Sequence, residues 1–397
     1  MPCKATGTRF ARYAWSALAF HLGVILWGAF VRASGSGAGC GQHWPLCNGQ
    51  VVPGTPLTAT IIEFTHRLTS GIAVVSVLVL VVWAVRGFPR GYGVRGGALL
   101  ALASTGTECA IGAALVLLRL VGSNESLARG LWLGAHLVNT LFLLAALSVT
   151  AWHATEVRER GFSRPILALS LSRNCAPRSA PAAISSRRVD AAASCALAGF
   201  LFAAVLGGFA ALGDTLVVST SLGASIHADF SVSSNIFVRL RVLHPIVAGA
   251  LGIWLLVLAY KLCAVAKRLS IAVAALVLAQ FALGIANIVL LTPIWLQLAH
   301  LLAADLLWIA CVLLVVAQAG SRRRIVHPRI RPCATPESAD LQPASACPAP
   351  SARTLSSPTL PTPTPRPATT PSIPPSVTLW RDMHCQSGEV TKKPSIS

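Results

Sequence analysis

Eight stretches of the sequence are long and apolar enough to cross a lipid bilayer as helices, and they constrain the fold more than any other feature. A hydrocarbon core of roughly 30 Å takes about 20 helical residues to cross. Backbone groups in lipid must be hydrogen-bonded within the protein, and these stretches are too long for the strands of a membrane barrel, so each is interpreted as a helix. Spans 1 to 8 are residues 13–32, 58–85, 96–118, 130–152, 191–213, 236–260, 269–291 and 294–318.

The composition agrees with this interpretation. Of the 397 residues, 54% are hydrophobic and 11% are charged, which leaves too little polar surface for a soluble protein of this length. We therefore predict an all-α integral membrane protein surrounded by membrane lipid. No cleavable signal peptide is expected, because the first span can serve as its own targeting signal.

The positions of lysine and arginine predict the orientation of the spans. These residues favour the cytoplasmic side of a membrane. They precede span 1, fill the connections after spans 2, 4 and 6, and follow span 8, whereas the opposite loops carry only Arg119 and Arg129. Both termini are therefore expected in the cytoplasm. The net charge of +19 reflects this distribution, and no nucleic-acid partner is expected.

The two halves of the chain resemble each other. Span 1 ends GAFVRASG and span 5 ends GGFAALGD, while span 4 contains LGAHLVNT and span 8 contains LQLAHLLA. We expect two pseudo-symmetric four-helix bundles related by an axis along the membrane normal. The predicted domains are a first unit over 1–152, a basic cytoplasmic linker over 153–190, a second unit over 191–318 and a disordered Pro/Thr/Ser-rich cytoplasmic tail over 319–397.

The repeat singles out four histidines, each about 9–12 Å inside the external end of its span. They are His66, His136, His244 and His300. One such histidine would most simply be a packed core residue, but four at one depth, paired by a repeat, favour a cofactor. Two imidazoles on facing helices can supply both axial ligands of a haem iron. Zinc or copper is disfavoured, because neither pair has an accompanying cysteine or carboxylate pattern.

The two halves differ next to these histidines. Glu63 lies three residues before His66, and Arg241 lies three residues before His244, so each shares a helix face with its histidine. An arginine beside a haem suits a propionate, and a carboxylate suits proton transfer or a developing positive charge. We therefore assign chemistry to the first half and electron transfer or a structural role to the second. The alternatives are an ion pair of Glu63 with Arg67 or Arg32, and snorkelling of Arg241.

Two cysteines, Cys40 and Cys47, share the first external loop. The external compartment permits a disulfide between them, which would hold this glycine-rich loop closed; two free thiols are the alternative.

Other polar residues lie inside the spans. Glu108 and Asp305 each need a partner or a proton, and Asn139 could contact a haem or another helix. Gly28, Gly112, Gly207 and Gly284 are interpreted as close-packing positions.

Several motifs together resemble the heme A synthase family of the bacterial type. They are VRASGSGAGCGQHWPLCNG, EFTHR, the LHP of span 6 and the QLAH of span 8, with His136 between them. The resemblance covers spans 1 to 8 and excludes the tail. It departs from the family pattern at Glu108, where a glutamine is expected, as Gln280 is in the second half.

The resemblance implies an enzyme of the bacterial plasma membrane that oxidises the C8 methyl group of heme O to a formyl group, making heme A for terminal oxidases. It implies that His66 and His136 bind the substrate haem iron and that His244 and His300 bind the iron of a haem b. Glu63 matches the catalytic carboxylate, and Cys40 with Cys47 matches the external cysteine pair. Heme O synthase and an electron-transfer protein are the implied partners.

Two other classes of protein share some of these features. A di-haem b membrane protein that transfers electrons from quinol would share the four histidines but gives no reason for Glu63 or the cysteine loop. A transporter built from repeats would be expected to place its polar site near the bilayer midplane, within broken helices.

Overall fold

A computed structural model of the chain describes residues 4–54, 57–160, 180–217 and 219–326. Within these ranges the chain forms ten α-helices and no β-strand. Eight helical segments are long and apolar enough to span a membrane, so the predicted all-α membrane fold with eight spans is confirmed. The predicted tail beyond residue 326 and residues 161–179 of the predicted linker lie outside the described residues.

The helices follow the predicted spans, with two short additions. The first half contains α1 (Lys4–Ala33), α2 (Thr58–Gly87), α3 (Gly93–Leu117) and α4 (Leu127–Arg160). The second half contains α5 (Ala180–Leu216), α6 (Leu222–Phe230), α7 (Ile236–Leu240), α8 (Leu243–Leu262), α9 (Lys267–Val289) and α10 (Ile294–Val326). The ends of α4 and α5 therefore extend into the stretch predicted as a linker.

Span 6, which was expected to be one helix, is interrupted between α7 and α8. Pro245 has no N–H to donate to the carbonyl of Arg241. The N–H of His244 donates to that carbonyl instead, at 3.3 Å, so the chain makes a tighter turn at this point. The turn lies directly beside two of the predicted site residues.

Each half forms a closed ring of four spanning helices. In the first half α1 packs on α2, α2 on α3, α3 on α4 and α4 on α1; in the second half the same order joins α5, α8, α9 and α10. This shared order is what a duplicated unit requires, and the pseudo-symmetry itself stays a prediction. Helices α4 and α10 are the most buried of the eight and pack against each other where the halves meet.

Polar side chains join the two halves. Within the membrane, the indole N–H of Trp308 on α10 donates to the carbonyl of Leu141 on α4 at 2.7 Å. At the end of α1, Arg32 reaches into the second half, where Nη1 donates to the carbonyl of Ala211 at 2.7 Å and to Thr215 Oγ1 at 3.0 Å. Ala211 is the residue that the repeat aligns with Arg32, so this contact joins equivalent turns of α1 and α5.

We expect Arg32→Gln to lower the stability of the protein, because a charged donor to two acceptors in the other half is lost. Hydrogen bonds that involve a charged group contribute on the order of 2 kcal/mol. The measurement is the thermal unfolding midpoint of the purified protein in detergent. Arg119→Gln, in an exposed external loop, is the matched control, and equal midpoints for the two variants would contradict the role of Arg32.

Candidate functional site

The structure brings the four predicted histidines together as two pairs, one in each half. His66 lies on α2 and His136 on α4, within the ring of four helices that forms the first half. The imidazoles of His244 on α8 and His300 on α10 have ring centres 6.4 Å apart, with their planes at 86°. All four residues are half-buried.

A glycine on the first helix of each half makes room for a histidine on the next spanning helix. A Cβ added at Gly28 on α1 would lie 2.8 Å from Cε1 of His66. A Cβ added at Gly207 on α5 would lie 2.9 Å from Cε1 of His244. Real Cβ atoms do not approach other atoms this closely, so a larger residue at either position would displace the imidazole, in agreement with the predicted close packing. Gly112, which was also predicted to be a close-packing position, has open space around the place of a Cβ.

The ring nitrogens of the histidines are suited to binding a metal. The Nδ1 of His244 donates to the carbonyl of Ala203 at 3.1 Å, because a carbonyl can only accept, and this leaves Nε2 without a proton. The buried Nδ1 atoms of His66 and His300 have no partner among the described residues.

The spacing of the second pair fits a haem iron. Two imidazoles bound to one iron, each through a bond of about 2 Å, have ring centres about 6 Å apart. The separation of 6.4 Å between His244 and His300 agrees with that value. Gly207 makes room for His244. This pair therefore has the donor atoms, the space and the separation that two imidazole ligands of one iron need.

Glu63 is buried and engaged on both carboxylate oxygens. Its side chain accepts the backbone N–H of Cys40 at 2.8 Å through Oε2, and it pairs with Arg67 Nη2 at 2.5 Å through Oε1. The ion pair with Arg67, one of the alternatives raised by the sequence, is therefore present. The catalytic role of Glu63 stays a prediction.

The predicted disulfide between Cys40 and Cys47 is present in the structure, and both cysteines are buried. Arg67 holds the bridged loop onto α2, because its Nη1 donates to the carbonyls of His43 at 2.5 Å and Leu46 at 2.7 Å. Thr60 Oγ1 also donates to the carbonyl of Gly39 at 2.8 Å. Glu63 and Arg67 thus connect the external loop to the helix turn that carries His66.

Arg241 is enclosed by acceptors from the protein itself. Its Nη1 donates to Asp214 Oδ1 at 2.8 Å, its Nε contacts Asp229, and its Nη2 donates to the carbonyl and the hydroxyl of Ser225, both at 2.9 Å. Asp229 and Ser225 lie on α6, which the sequence did not predict. The predicted contact of Arg241 with a haem propionate stays a prediction, and it would have to share the guanidinium with these partners.

The remaining predicted polar residues differ in their contacts. Asn139 donates to the carbonyl of Ser104 at 2.8 Å, so it joins α4 to α3. Asp305 is almost fully buried, and its Oδ2 has no partner in the described part of the chain. Glu108 Oε2 lies against Nδ1 of His136, and Glu108 Oε1 accepts from Thr140 Oγ1 at 2.8 Å.

The fold and site define a class: a multi-pass helical membrane protein with one histidine pair inside each four-helix half. The chain also matches the COX15-CtaA family, described as cytochrome oxidase assembly protein, over residues 11–312. The chain belongs to this family, which is the family of the heme A synthases.

Relatives with known names agree in part. A protoheme IX farnesyltransferase of Thermus thermophilus is 40% identical over 326 residues, which cover 80% of this chain and 50% of that protein. The heme A synthase of Lysinibacillus sphaericus is 40% identical over 106 residues, 26% of this chain and 34% of that protein. The heme A synthase of Alkalihalophilus pseudofirmus is 49% identical over 61 residues, 15% of this chain and 20% of that protein. The chain thus spans half the length of the Thermus protein, and the matched regions cover smaller shares of the two heme A synthases.

We expect Arg67→Ala to loosen the loop between Cys40 and Cys47 while leaving α2 folded. The variant removes the ion pair with Glu63 and two charged donors to loop carbonyls, each contributing about 1.5–3 kcal/mol. Amide hydrogen exchange of the loop should accelerate by about one to two orders of magnitude, since about 1.4 kcal/mol is tenfold. Arg119→Ala serves as the control, and an unchanged exchange rate in Arg67→Ala would show that the loop is held by other contacts.

Proposed function

We propose that the protein oxidises the C8 methyl group of heme O to the formyl group of heme A, for use by terminal oxidases, in a bacterial plasma membrane. The observation that carries the proposal is the asymmetry of two matched histidine pairs in a member of this family. In each half a glycine, Gly28 or Gly207, makes room for one histidine of the pair. One turn from that histidine the first half has a buried carboxylate, Glu63, whereas the second half has Arg241 at the equivalent position.

The residues divide into two sets of roles. His66 and His136 hold the substrate, heme O, in the first half. His244 and His300 hold a haem b in the second half, where haem b supplies a one-electron redox centre when bound. Glu63 stabilises positive charge or moves a proton beside the substrate. The disulfide loop, connected to Glu63 and Arg67, covers the external side of the substrate site and keeps water out.

The overall conversion requires an electron acceptor. Converting a methyl to a formyl group takes up one water and releases four protons and four electrons, by way of the alcohol and then a hydrate that loses water. Glu63 is the buried carboxylate nearest in sequence to the substrate histidine His66, so we assign proton removal to it. The electrons leave to an electron-transfer protein of the membrane.

The Thermus relative supports a partner for this reaction. That protein carries the name protoheme IX farnesyltransferase, and the matched region is half of its length. A farnesylated protoheme is the substrate proposed here. We therefore propose that a heme O synthase acts beside this chain and supplies heme O to it. The farnesyltransferase name does not decide the activity of the matched half, because the other half of that protein is available to carry it.

The proposal is tested by extracting the non-covalent haems from the protein purified from a host that makes heme O but lacks heme A synthesis. The expected result is heme A, or its hydroxylated precursor, together with haem b, separated by chromatography. Haem b alone, with heme O shown to be present in the host, would overturn the proposal in favour of a di-haem electron-transfer protein.

Glu63→Gln should retain both haems and lose conversion at least tenfold, because the amide can still accept the N–H of Cys40 but can no longer take up a proton. Haem content and conversion are measured on the same preparation. Glu125→Gln, at an exposed external carboxylate, provides the comparison. Conversion that persists in Glu63→Gln would remove the assignment of this residue.

Gly28→Ala should remove the haem of the first half and leave that of the second, because the added methyl group would lie 2.8 Å from the imidazole of His66. Gly207→Ala should do the reverse through His244. Gly23→Ala, on the same helix as Gly28 with nothing within 4 Å of the added Cβ, should retain both. The measurement is the haem-to-protein ratio by absorbance, and equal ratios in all three variants would contradict the predicted assignment of ligands.

A further inference from the structure

A carboxylate inside the membrane contacts one of the four histidines. Glu108 lies on α3 and faces α4, where its Oε2 lies against Nδ1 of His136. Its other oxygen accepts from Thr140 Oγ1 at 2.8 Å, one turn further along α4. The Glu108 side chain is 15% exposed, so the carboxylate is held between two donors away from bulk solvent. Neither the His136 nitrogen nor Glu108 Oε2 has a hydrogen-bond partner among the described residues, so the two atoms meet as an ion-pair contact.

The second half has a different arrangement at the equivalent place. There Gln280 on α9 donates through Nε2 to the backbone carbonyl of His300 at 3.1 Å. The imidazole of His300 forms no hydrogen bond with Gln280, and its Nδ1 has no partner in the part of the chain that is described. Glu108 therefore acts on a ring nitrogen, whereas Gln280 acts on the backbone.

The contact fixes the state of the His136 ring. A carboxylate beside Nδ1 favours the proton of the imidazole on that nitrogen, which leaves Nε2 as the electron-pair donor. A carboxylate partner at the second nitrogen of a ligating histidine also raises the basicity of the nitrogen that binds the metal. A more basic ligand, with a negative charge behind it, favours the ferric over the ferrous state of an iron.

We propose that Glu108 is a positioning residue for His136, which it orients through Nδ1 and makes a stronger donor, so that the iron of the first half has a lower reduction potential than it would have with glutamine at this position. The inference rests on the proposed function only in that His66 and His136 bind a haem iron. The difference in reduction potential between the two halves then comes from one residue of this chain, Glu108.

The test is a redox titration of the purified, haem-loaded protein and of Glu108→Gln, followed by absorbance. The substitution keeps the shape of the side chain and removes its charge. The expected result is a rise in the potential of the haem in the first half, equivalent to about a tenfold change in the ratio of ferric to ferrous protein, or about 59 mV for one electron. The haem of the second half should not shift. The absorbance component lost in His66→Ala identifies the haem of the first half.

A second variant separates the hydrogen bond from the charge. Glu108→Asp keeps the carboxylate but withdraws it by one methylene, so we expect a smaller rise in the same direction. If Glu108→Gln is purified without the haem of the first half, the potential measured on Glu108→Asp tests the proposal. Glu125→Gln, an equal change of charge at an exposed external position, should shift neither potential.

The electron paramagnetic resonance signal of the low-spin ferric haem in the first half gives an independent readout. This signal should change in Glu108→Gln because the donor strength of His136 changes. An unshifted potential with both haems retained, or an equal shift of both haems, would overturn the role of Glu108. Conversion of heme O is measured in parallel. A shifted potential without conversion in the wild type would reject the proposed function and keep this inference; conversion with an unshifted potential would do the opposite.

Discussion

Helices inside a bilayer gain little from burying leucine against leucine, because the lipid around them is as apolar as the protein core. What holds such helices in one arrangement is close packing at small residues and hydrogen bonds between helices. Both occur here at defined positions. Gly28 and Gly207 let the first helix of each half approach an imidazole closely, and Asn139 joins α4 to α3. His66 and His244 therefore also determine how closely the first helix of each half can pack.

The two halves are closed by different means at the ends near Glu63 and Arg241. In the first half a disulfide-bridged loop is held on α2 by Glu63 and Arg67. In the second half the short helix α6 is held on Arg241 by Asp229 and Ser225. Buried ions of this kind need partners, since an isolated charge at such a site is costly. The first half thus places an ionised pair within one turn of His66, whereas the second half surrounds its arginine with carboxylates.

Sequence reasoning predicted the features that depend on length and pattern. The spans, the two histidine pairs and the disulfide follow from apolar length, repeat position and compartment, and each is seen in the fold. It did not predict α6, the turn before His244, or the partners of Arg241, because these depend on contacts between residues far apart in the chain. Asp214 lies at the end of α5, and nothing in the sequence shows that it meets an arginine from another part of the chain.

The two halves share one order of helix packing but differ in what contacts the Nδ1 atoms of their histidines. In the second half the Nδ1 that is held belongs to His244, which packs beside Gly207, and the acceptor is a neutral carbonyl. In the first half the Nδ1 that contacts a carboxylate belongs to His136, which is the counterpart of His300 and not of His244, and the carboxylate is that of Glu108. A carbonyl fixes the ring without adding charge, whereas a carboxylate also strengthens the ligand. Under the proposed function, two haems in one environment would give electrons no direction between them, so unequal partners of the paired histidines make the two sites different.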